Sequence, residues 1–413
     1  MKLLIVSASD IAGGANKAAY RLHRSLLDNG IDSQMLVQNK ISDDFSVIGP
    51  KSNFRKLIIN PVRPALDHIF MKINKVKSLF SSSYLPFSEI VTKINEINPD
   101  IVHLHWIAGG MMRIEDISRI KSPIVWSLHD MWPFTGGCHY DKGCGLYKNT
   151  CGTCKVLKSK KDNDLSRKIF KRKLKEYSKI EKMEIIATSN WIGTCAKESA
   201  LLKDRNISVL PNPINTNLFK RIDKNLSRDI FNIPKDKKVI LFGAMSPISD
   251  SRKGFNELLE AINALKVKNT IIVVAGSSKP KEPLKLKYPV YFISPLRDDI
   301  SLPLLYNVAD VMVVPSIQEN SANSIIESLS CEVPVVAFNI GGNSDMIDHK
   351  KNGYLAKAIY PEDMALGIQW VLMNNELLGL SKKSREKSKG EFDRMSVSKK
   401  YIDLYENILN IKS

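Results

Sequence analysis

The chain has 413 residues, 43% of them hydrophobic and 25% charged, a globular balance in a length that suits two cores better than one. No run reaches the roughly 20 apolar residues of a membrane-spanning helix. Asp10 interrupts the apolar start MKLLIVSASD before a secretory core develops, so a cytoplasmic protein is expected. The net charge of +18 calls for an anionic partner. Its basic residues gather in 51–77, with Arg55, Lys56, Arg63, Lys72 and Lys75. A second group lies in 155–175, with Lys160, Lys161, Arg167, Lys168, Lys171, Arg172 and Lys173. Leu165, Ile169, Leu174 and Tyr177 recur there at roughly helical spacing. Both stretches read either as solvated helix faces or as a peripheral contact with anionic membrane, where each basic residue adds about 1 kcal/mol. Nucleic acid is not expected, because no nucleic-acid-binding motif is present.

In chain order, the first short apolar run, 3–6, leads into Asp10-Ile11-Ala12-Gly13-Gly14-Ala15, which opens a helix. This is not GxGxxG, so no nicotinamide cofactor follows from it, and the glycine pair suits either a tight turn or a ligand loop. Run 101–104 carries His103, expected in the core. His105 lies on the same face near the carboxyl end, where open α/β sheets bind ligands. Run 124–128 is followed by His129 and Asp130, and 185–187 closes the first series. Pro211-Asn212-Pro213 punctuates the chain, and a linker is placed at 212–225. Runs 239–242, 271–275, 311–314 and 333–337 then repeat the pattern. Short Val- and Ile-rich runs alternating with helical segments predict buried parallel strands, hence an α/β protein. The expected organisation is two Rossmann-like domains, 1–212 and 213–385, facing across a cleft, with a helical segment 386–413.

Within the first series, between runs 124–128 and 185–187, Cys138, Cys144, Cys151 and Cys154 crowd together as C-x5-C-x6-C-x2-C beside His139. In a reducing compartment four close cysteines favour metal over disulfides, so a structural zinc held by these four is expected, ahead of free or redox-active thiols and of an iron–sulfur cluster. Cys195 and Cys331 are isolated and suit small buried residues.

The most informative stretch is VMVVPSIQENSANSIIES, 311–328. A strand ends at Pro315, a polar loop carries Glu319, and a helix is expected to start with Asn323 or Ser324 as its cap. The free amides of such a start attract phosphate, and an acid such as Glu327 suits ribose hydroxyls. Upstream, LFGAMSPISDSRKGFNELLEAI sets Arg252 and Lys253 before a helix, where two cations could clamp a diphosphate. Downstream, Gly341 and Gly342 follow a strand and permit close backbone approach.

The set RKGF (252–255), Glu319-x7-Glu327 after VVPS, and VPVVAF followed by Gly341-Gly342 resembles the retaining GT-B glycosyltransferases of family 4, from LLIVS to about Leu372. That resemblance implies that Lys253 and Arg252 bind the donor phosphates, and that the amides of Asn320, Ser321 and Ala322 hold the diphosphate. Glu319 would contact the transferred sugar, Glu327 the ribose, and Gly14 a ligand through the first loop. His129 resembles the family's sugar-contacting histidine, orienting rather than acting as an obligatory base. No catalytic metal is implied. The segment WPFTGGCHY…GC…CGTC looks like an insertion of a polysaccharide-building branch. The expected partners are a nucleotide-sugar donor and a saccharide or lipid-linked acceptor of bacterial surface polysaccharide. A nucleotide-sugar epimerase and a non-catalytic sugar-nucleotide binder are the alternatives. Two positions depart from the family pattern: Ala244 stands where an arginine is common, and Glu319-Asn320-Ser321-Ala322 replaces Glu-Gly-Phe-Gly.

Overall fold

The computed structural model describes residues 1–52, 58–67, 79–86, 88–244, 247–279, 286–296 and 298–411. The chain divides into two compact units, one of Met1–Pro211 with Ser398–Ser413 and one of Asn212–Val397. Each is an all-parallel sheet flanked by helices.

In the first unit the strands are β1 (Lys2–Ser9), β2 (Asp32–Asn39), β3 (Val47–Ile48), β4 (Ile101–Leu104), β5 (Ile124–Leu128), β6 (Met183–Ala187) and β7 (Ile207–Val209). Their order is β3-β2-β1-β4-β5-β6-β7. The second unit has β8 (Lys238–Gly243), β9 (Thr270–Ala275), β10 (Val290–Ile293), β11 (Val311–Val314), β12 (Val335–Phe338) and β13 (Gly353–Ala356), in the order β10-β9-β8-β11-β12-β13. Both sheets thus grow outward in two directions from the first strand of the unit. The loops leaving β1 and β4 in one, and β8 and β11 in the other, diverge at the carboxyl edge and leave room for a ligand.

The central strands are buried on both faces, which is why they read as unbroken Val, Ile and Leu runs. Leu3 to Val6, Val239 to Leu241 and Val311 to Val313 are all essentially inaccessible. Every expected run forms a strand, and β2, β3, β7, β10 and β13 are additional. All five of these strands lie at or next to a sheet margin, where one face or end is wetter and the apolar signal thins. The residues of β10, for instance, are all half-buried.

Two boundaries differ from the expectation. The stretch after Pro211 is packed rather than a linker: Ile214 bridges Asp393, and Ile214 and Phe219 enter the second unit's core. The carboxyl-terminal segment is not separate either. Residues 386–397 belong to the second unit, and the end of the helix Arg394–Leu409 packs on the first, burying Tyr401 and Tyr405. Two of the expected surface cations are buried. Arg63 donates to the carbonyls of Gly110 (2.6 Å), Pro86 (2.9 Å) and Leu85 (3.2 Å). Lys173 donates to those of Trp132 and Thr135. Arg55, Lys56, Lys72 and Lys75 lie outside the described residues. Among the described residues no helix is long and apolar enough to cross a membrane.

Candidate active site

In the second unit three loops meet beyond the carboxyl ends of β8, β11 and β12. The first makes a single 3-10 turn, Ser251–Lys253, capped by Asp250, whose carboxylate accepts from the Arg252 N–H at 3.1 Å. The turn ends at Gly254, with φ +71°, where a Cβ would stand 1.8 Å from the Pro315 carbonyl oxygen. Only glycine lets this turn rest on the end of β11. The Ile317 N–H then donates to the Arg252 carbonyl at 2.9 Å, fastening the first loop to the second.

That seating brings Lys253 to Glu319, with Nζ 2.8 Å from Oε2. The other oxygen, Oε1, accepts from the Asn320 N–H at 3.2 Å. The third loop packs beneath. Gly341, at φ +51°, leaves no room for a Cβ, which would lie 1.8 Å from the Glu319 carbonyl oxygen, and the Gly342 N–H donates to the Asn320 carbonyl at 3.0 Å. Sixty-six residues separate Lys253 from Glu319, and the divergence of strand order between β8 and β11 puts them side by side.

Arg252 is differently engaged. Its guanidinium makes two bonds to the Asp250 carboxylate, at 3.0 and 2.7 Å. Burial works to raise the Asp250 pKa, but the Arg252 hydrogen bond and charge outweigh it and hold the carboxyl below its ordinary value. Lys253 is therefore the cation presented to the loop of Glu319, and Arg252 braces the turn.

The helix after Glu319 runs Asn323–Ser330 with Ala322 at its cap and no side-chain capping bond. The expected caps, Asn323 and Ser324, are instead the first helical residues. Ser321 is half-buried and Ala322 buried in the approach to this start. A helix start uncapped by a side chain, beside a lysine, suits an anion of the size and charge of a diphosphate. Glu327 is buried one turn further, accepting the Tyr306 hydroxyl at 2.6 Å.

In the first unit, the loop after β1 turns at Gly13 (φ +89°, ψ +158°), a conformation reserved for glycine, and Gly14 opens the helix Gly14–Asp28. Asp10 is inaccessible and accepts from the N–H groups of Ile11, Ile41 and Ser42 and from the Ser42 hydroxyl, joining the loops after β1 and β2. Burial alone would raise its pKa, but these bonds hold it below the usual carboxylate value.

The histidines form two linked groups. His129, just past β5, shares a hydrogen bond of 2.9 Å between its Nε2 and His105 Nδ1, with the rings stacked. His103 is fully buried, as expected, and satisfied on both nitrogens by the Tyr405 hydroxyl (2.7 Å) and the Ser127 hydroxyl (2.8 Å). Burial pushes His103 down to about 3 and His129 down to about 4, with Asp130 opposing the fall in His129; His105 is also held well below its ordinary value. All three are neutral near pH 7 and suited to orienting a hydroxyl rather than carrying charge. His105 Nε2 is buried without a hydrogen-bond partner among the described residues.

Asp130 belongs to a separate network. It accepts from His139 Nδ1 (2.6 Å), Trp106 Nε1 (3.0 Å) and the Trp132 N–H (2.9 Å), while His139 Nε2 meets the Ser81 hydroxyl at 3.0 Å. The order serine, histidine, aspartate imitates a hydrolase triad. Ser81 and His139 are inaccessible, however, so the network fastens the cysteine-rich segment instead.

The four cysteines for which a zinc was expected lie within electrostatic reach of one another. Cys138, Cys151 and Cys154 are buried and Cys144 is half-buried, all as free thiols, and no three His, Cys, Asp or Glu among the described residues are placed to hold a metal ion. Burial, reinforced by Cys154, pushes the Cys138 thiol well above its ordinary pKa, and burial takes Cys151 up to about 12. The charge near Cys138 and Cys151 comes from Lys173, whose ammonium lies 3.8 Å from the Trp132 ring centre and whose pKa burial lowers to about 7.

Sequence reasoning missed Asp250, Tyr306, Ser81 and Trp106, and read Lys173 only as one of a basic group. Asp250 could have been found two residues before the Arg252 it braces. Ser81 and Tyr306 carry no local signal, because only the fold brings them to His139 and Glu327.

The description "Glycosyl transferases group 1" matches residues 223–389, and "Glycosyltransferase Family 4" matches residues 12–218. An uncharacterised glycosyltransferase of Methanocaldococcus jannaschii is 26% identical over 318 residues, 70% of this chain and 78% of that one. A putative colanic acid biosynthesis glycosyl transferase of Escherichia coli is 25% identical over 168 residues, 38% and 40% of the two chains. Sucrose-phosphate synthase from Thermosynechococcus elongatus has a similar fold, with TM-score 0.72 at 17% identity and full coverage of both chains. So does the Anabaena protein HepE in complex with UDP-glucose, with TM-score 0.65 at 15% identity over 98% of this chain and 100% of that one.

Proposed function

The chain belongs to the group 1 glycosyltransferases, with the family 4 pattern in its first half, and on that premise we propose that it moves a sugar from a nucleotide-sugar donor to a saccharide or lipid-linked acceptor of bacterial surface polysaccharide. The observation that carries the donor assignment is the Lys253–Glu319 pair, held at 2.8 Å where strand order diverges and beside a helix start with no side-chain cap. In this reading the donor diphosphate takes Lys253 from Glu319 and receives the amides leading into the helix Asn323–Ser330. Glu319, released from its lysine, accepts from hydroxyls of the transferred sugar. Glu327, oriented by Tyr306, serves the ribose, and Arg252 supports the turn that aims Lys253. His129, kept neutral, is the first unit's sugar-contacting group, and the Gly13-Gly14 loop is its ligand loop.

The reaction proposed is a retaining one that works without a protein nucleophile. The acceptor oxygen bonds to the anomeric carbon, the bond from that carbon to the phosphate oxygen breaks, and the acceptor proton passes to a phosphate oxygen. Lys253 and the helix amides stabilise the charge that grows on the departing diphosphate. A cytoplasmic site of action is proposed, at the inner membrane face where lipid-linked acceptors are built. UDP-sugars are the donors to try first, because the similarly folded Anabaena HepE is seen with UDP-glucose.

The test is incubation with labelled nucleotide sugars, with and without lipid-linked acceptors extracted from bacterial membranes. The proposal requires acceptor-dependent release of the nucleoside diphosphate and a product of unchanged anomeric configuration by NMR. Turnover to an epimerised sugar without acceptor would overturn it in favour of the epimerase reading.

A further inference from the structure

The helix Pro361–Leu378 is apolar on two sides, and the fold uses only one. Met364, Ala365, Ile368 and Val371 are buried against the second unit's sheet. A second stripe, at the i, i+4, i+7, i+11 spacing of one helix face, is formed by Leu366, Trp370, Met373 and Leu377. Trp370 is half-buried, but Leu366, Met373 and Leu377 are 58%, 75% and 82% exposed. Single exposed leucines are ordinary, whereas a row along about three turns of one helix marks a surface that is covered by something.

The fringe of the stripe says by what. Lys238 reaches the Leu372 carbonyl with its Nζ (3.4 Å), and the Lys266 N–H bonds Gln369 on the helix (2.7 Å). Lys350 Nζ lies 6.0 Å from the Trp370 ring centre. Lys382, 85% exposed, stands on the next helix, Leu380–Glu391, only five residues beyond Leu377. The acids along the stripe are Glu362, Asp363, which accepts from the Tyr354 hydroxyl and the Lys357 N–H, and Glu376. Exposed large apolar side chains ringed by lysines fit an anionic bilayer, apolar tips entering the head-group boundary and ammonium groups meeting phosphates. A second copy of the chain would bring a like fringe, on a molecule of net charge +18, against this one.

We propose that this face of the second unit docks on anionic phospholipid. The docking surface is thereby assigned to the helix Pro361–Leu378; in the basic stretch 155–175, by comparison, Lys173 is buried and Arg172 pairs with Glu115 at 2.7 Å, while Lys160, Lys161, Lys168 and Lys171 are exposed. The inference stands apart from the transferase reading, because its test needs neither donor nor acceptor.

The test is co-sedimentation of the full chain with phosphatidylcholine vesicles, with and without phosphatidylglycerol. Binding is expected only with phosphatidylglycerol and is expected to fall with salt. The triple variant Leu366→Ser, Met373→Ser, Leu377→Ser and the double variant Lys238→Glu, Lys382→Glu should each weaken it at least about tenfold, with unchanged melting. A control variant, Lys168→Glu with Lys171→Glu, should bind as the wild type does. Full binding by the triple variant, or loss in the control alone, would overturn the assignment. So would a lipid-free dimer in sedimentation velocity that the triple variant abolishes, since the occupant would then be a second copy.

Discussion

Replacing Gly341 by alanine tests how tightly the three loops are stacked. The residue sits at φ +51°, which costs a non-glycine residue about 1–2 kcal/mol. The new Cβ would lie 1.8 Å from the Glu319 carbonyl oxygen and 2.9 Å from its carbon, where contacts below 3.0 Å essentially never occur. Either the Gly341 turn or the Glu319 backbone must therefore yield by about 1.2 Å. A move of that size endangers the Gly342 to Asn320 bond, worth about 0.5–1.5 kcal/mol. The combined loss of about 2–3 kcal/mol should lower the melting temperature by several degrees. The larger effect should fall on turnover. Glu319 is held by Lys253 on one side and by its own backbone on the other, and a displacement near 1 Å at such a site costs about 100-fold. Gly390→Ala is the control, because a Cβ there meets nothing within 4 Å, and that variant should melt slightly higher. Gly341→Ala with wild-type melting and wild-type transfer would refute the stacking and the role drawn from it.

Three further outcomes follow from the two units. Glu319→Gln should cut kcat by about 100- to 1000-fold at near-normal melting, and transfer at more than a tenth of the wild-type rate would count against its contact with the sugar. Asp130→Ala, which strands His139 and Trp106 in the interior, should destabilise the first unit by about 3–5 kcal/mol in urea unfolding, and a loss below 1 kcal/mol would show the network to be incidental. The buried histidines make stability depend on pH. Between 6.5 and about 4 the unfolded chain binds protons that folded His129 excludes, as it does for His23 and, further down, His103. Stability should fall as pH falls through that window, each such histidine contributing up to about 1.4 kcal/mol per pH unit. His103→Phe should flatten the slope, and an unchanged slope would mean that His103 titrates normally when folded.

The parts of the fold that could be read in advance are those the solvent cannot reach. A central parallel strand excludes water on both faces, so its residue choice is forced, and runs such as 101–104, 124–128 and 311–314 match observed strands at both ends. The loops of the second unit were equally legible as loops, because RKG, Glu319 and Gly341-Gly342 each sit in the segment that follows an apolar strand. What could not be read is whatever depends on two distant segments choosing each other. Nothing around Arg63 or Lys173 distinguishes them from exposed neighbours, and yet each is drawn inside by backbone carbonyls that only the folded loops present. The return of Tyr401 and Tyr405 to the first unit is of the same kind, since a polar terminal helix gives no sign of its partner. The cysteines show the limit of spacing in another way: it reports how near the thiols are along the chain, while metal binding needs their lone pairs to converge.

The central claim, that the second unit binds a nucleotide-sugar through Lys253 beside the helix start, is tested most directly by thermal shift against UDP-, GDP-, dTDP- and ADP-sugars in the wild type and in Lys253→Ala. A ligand at a hundred times its Kd stabilises the folded chain by about 2.7 kcal/mol. The account predicts that one nucleotide series raises the melting temperature of the wild type by several degrees and leaves that of Lys253→Ala unmoved. Equal shifts in both proteins, or no shift with any nucleotide, would contradict it.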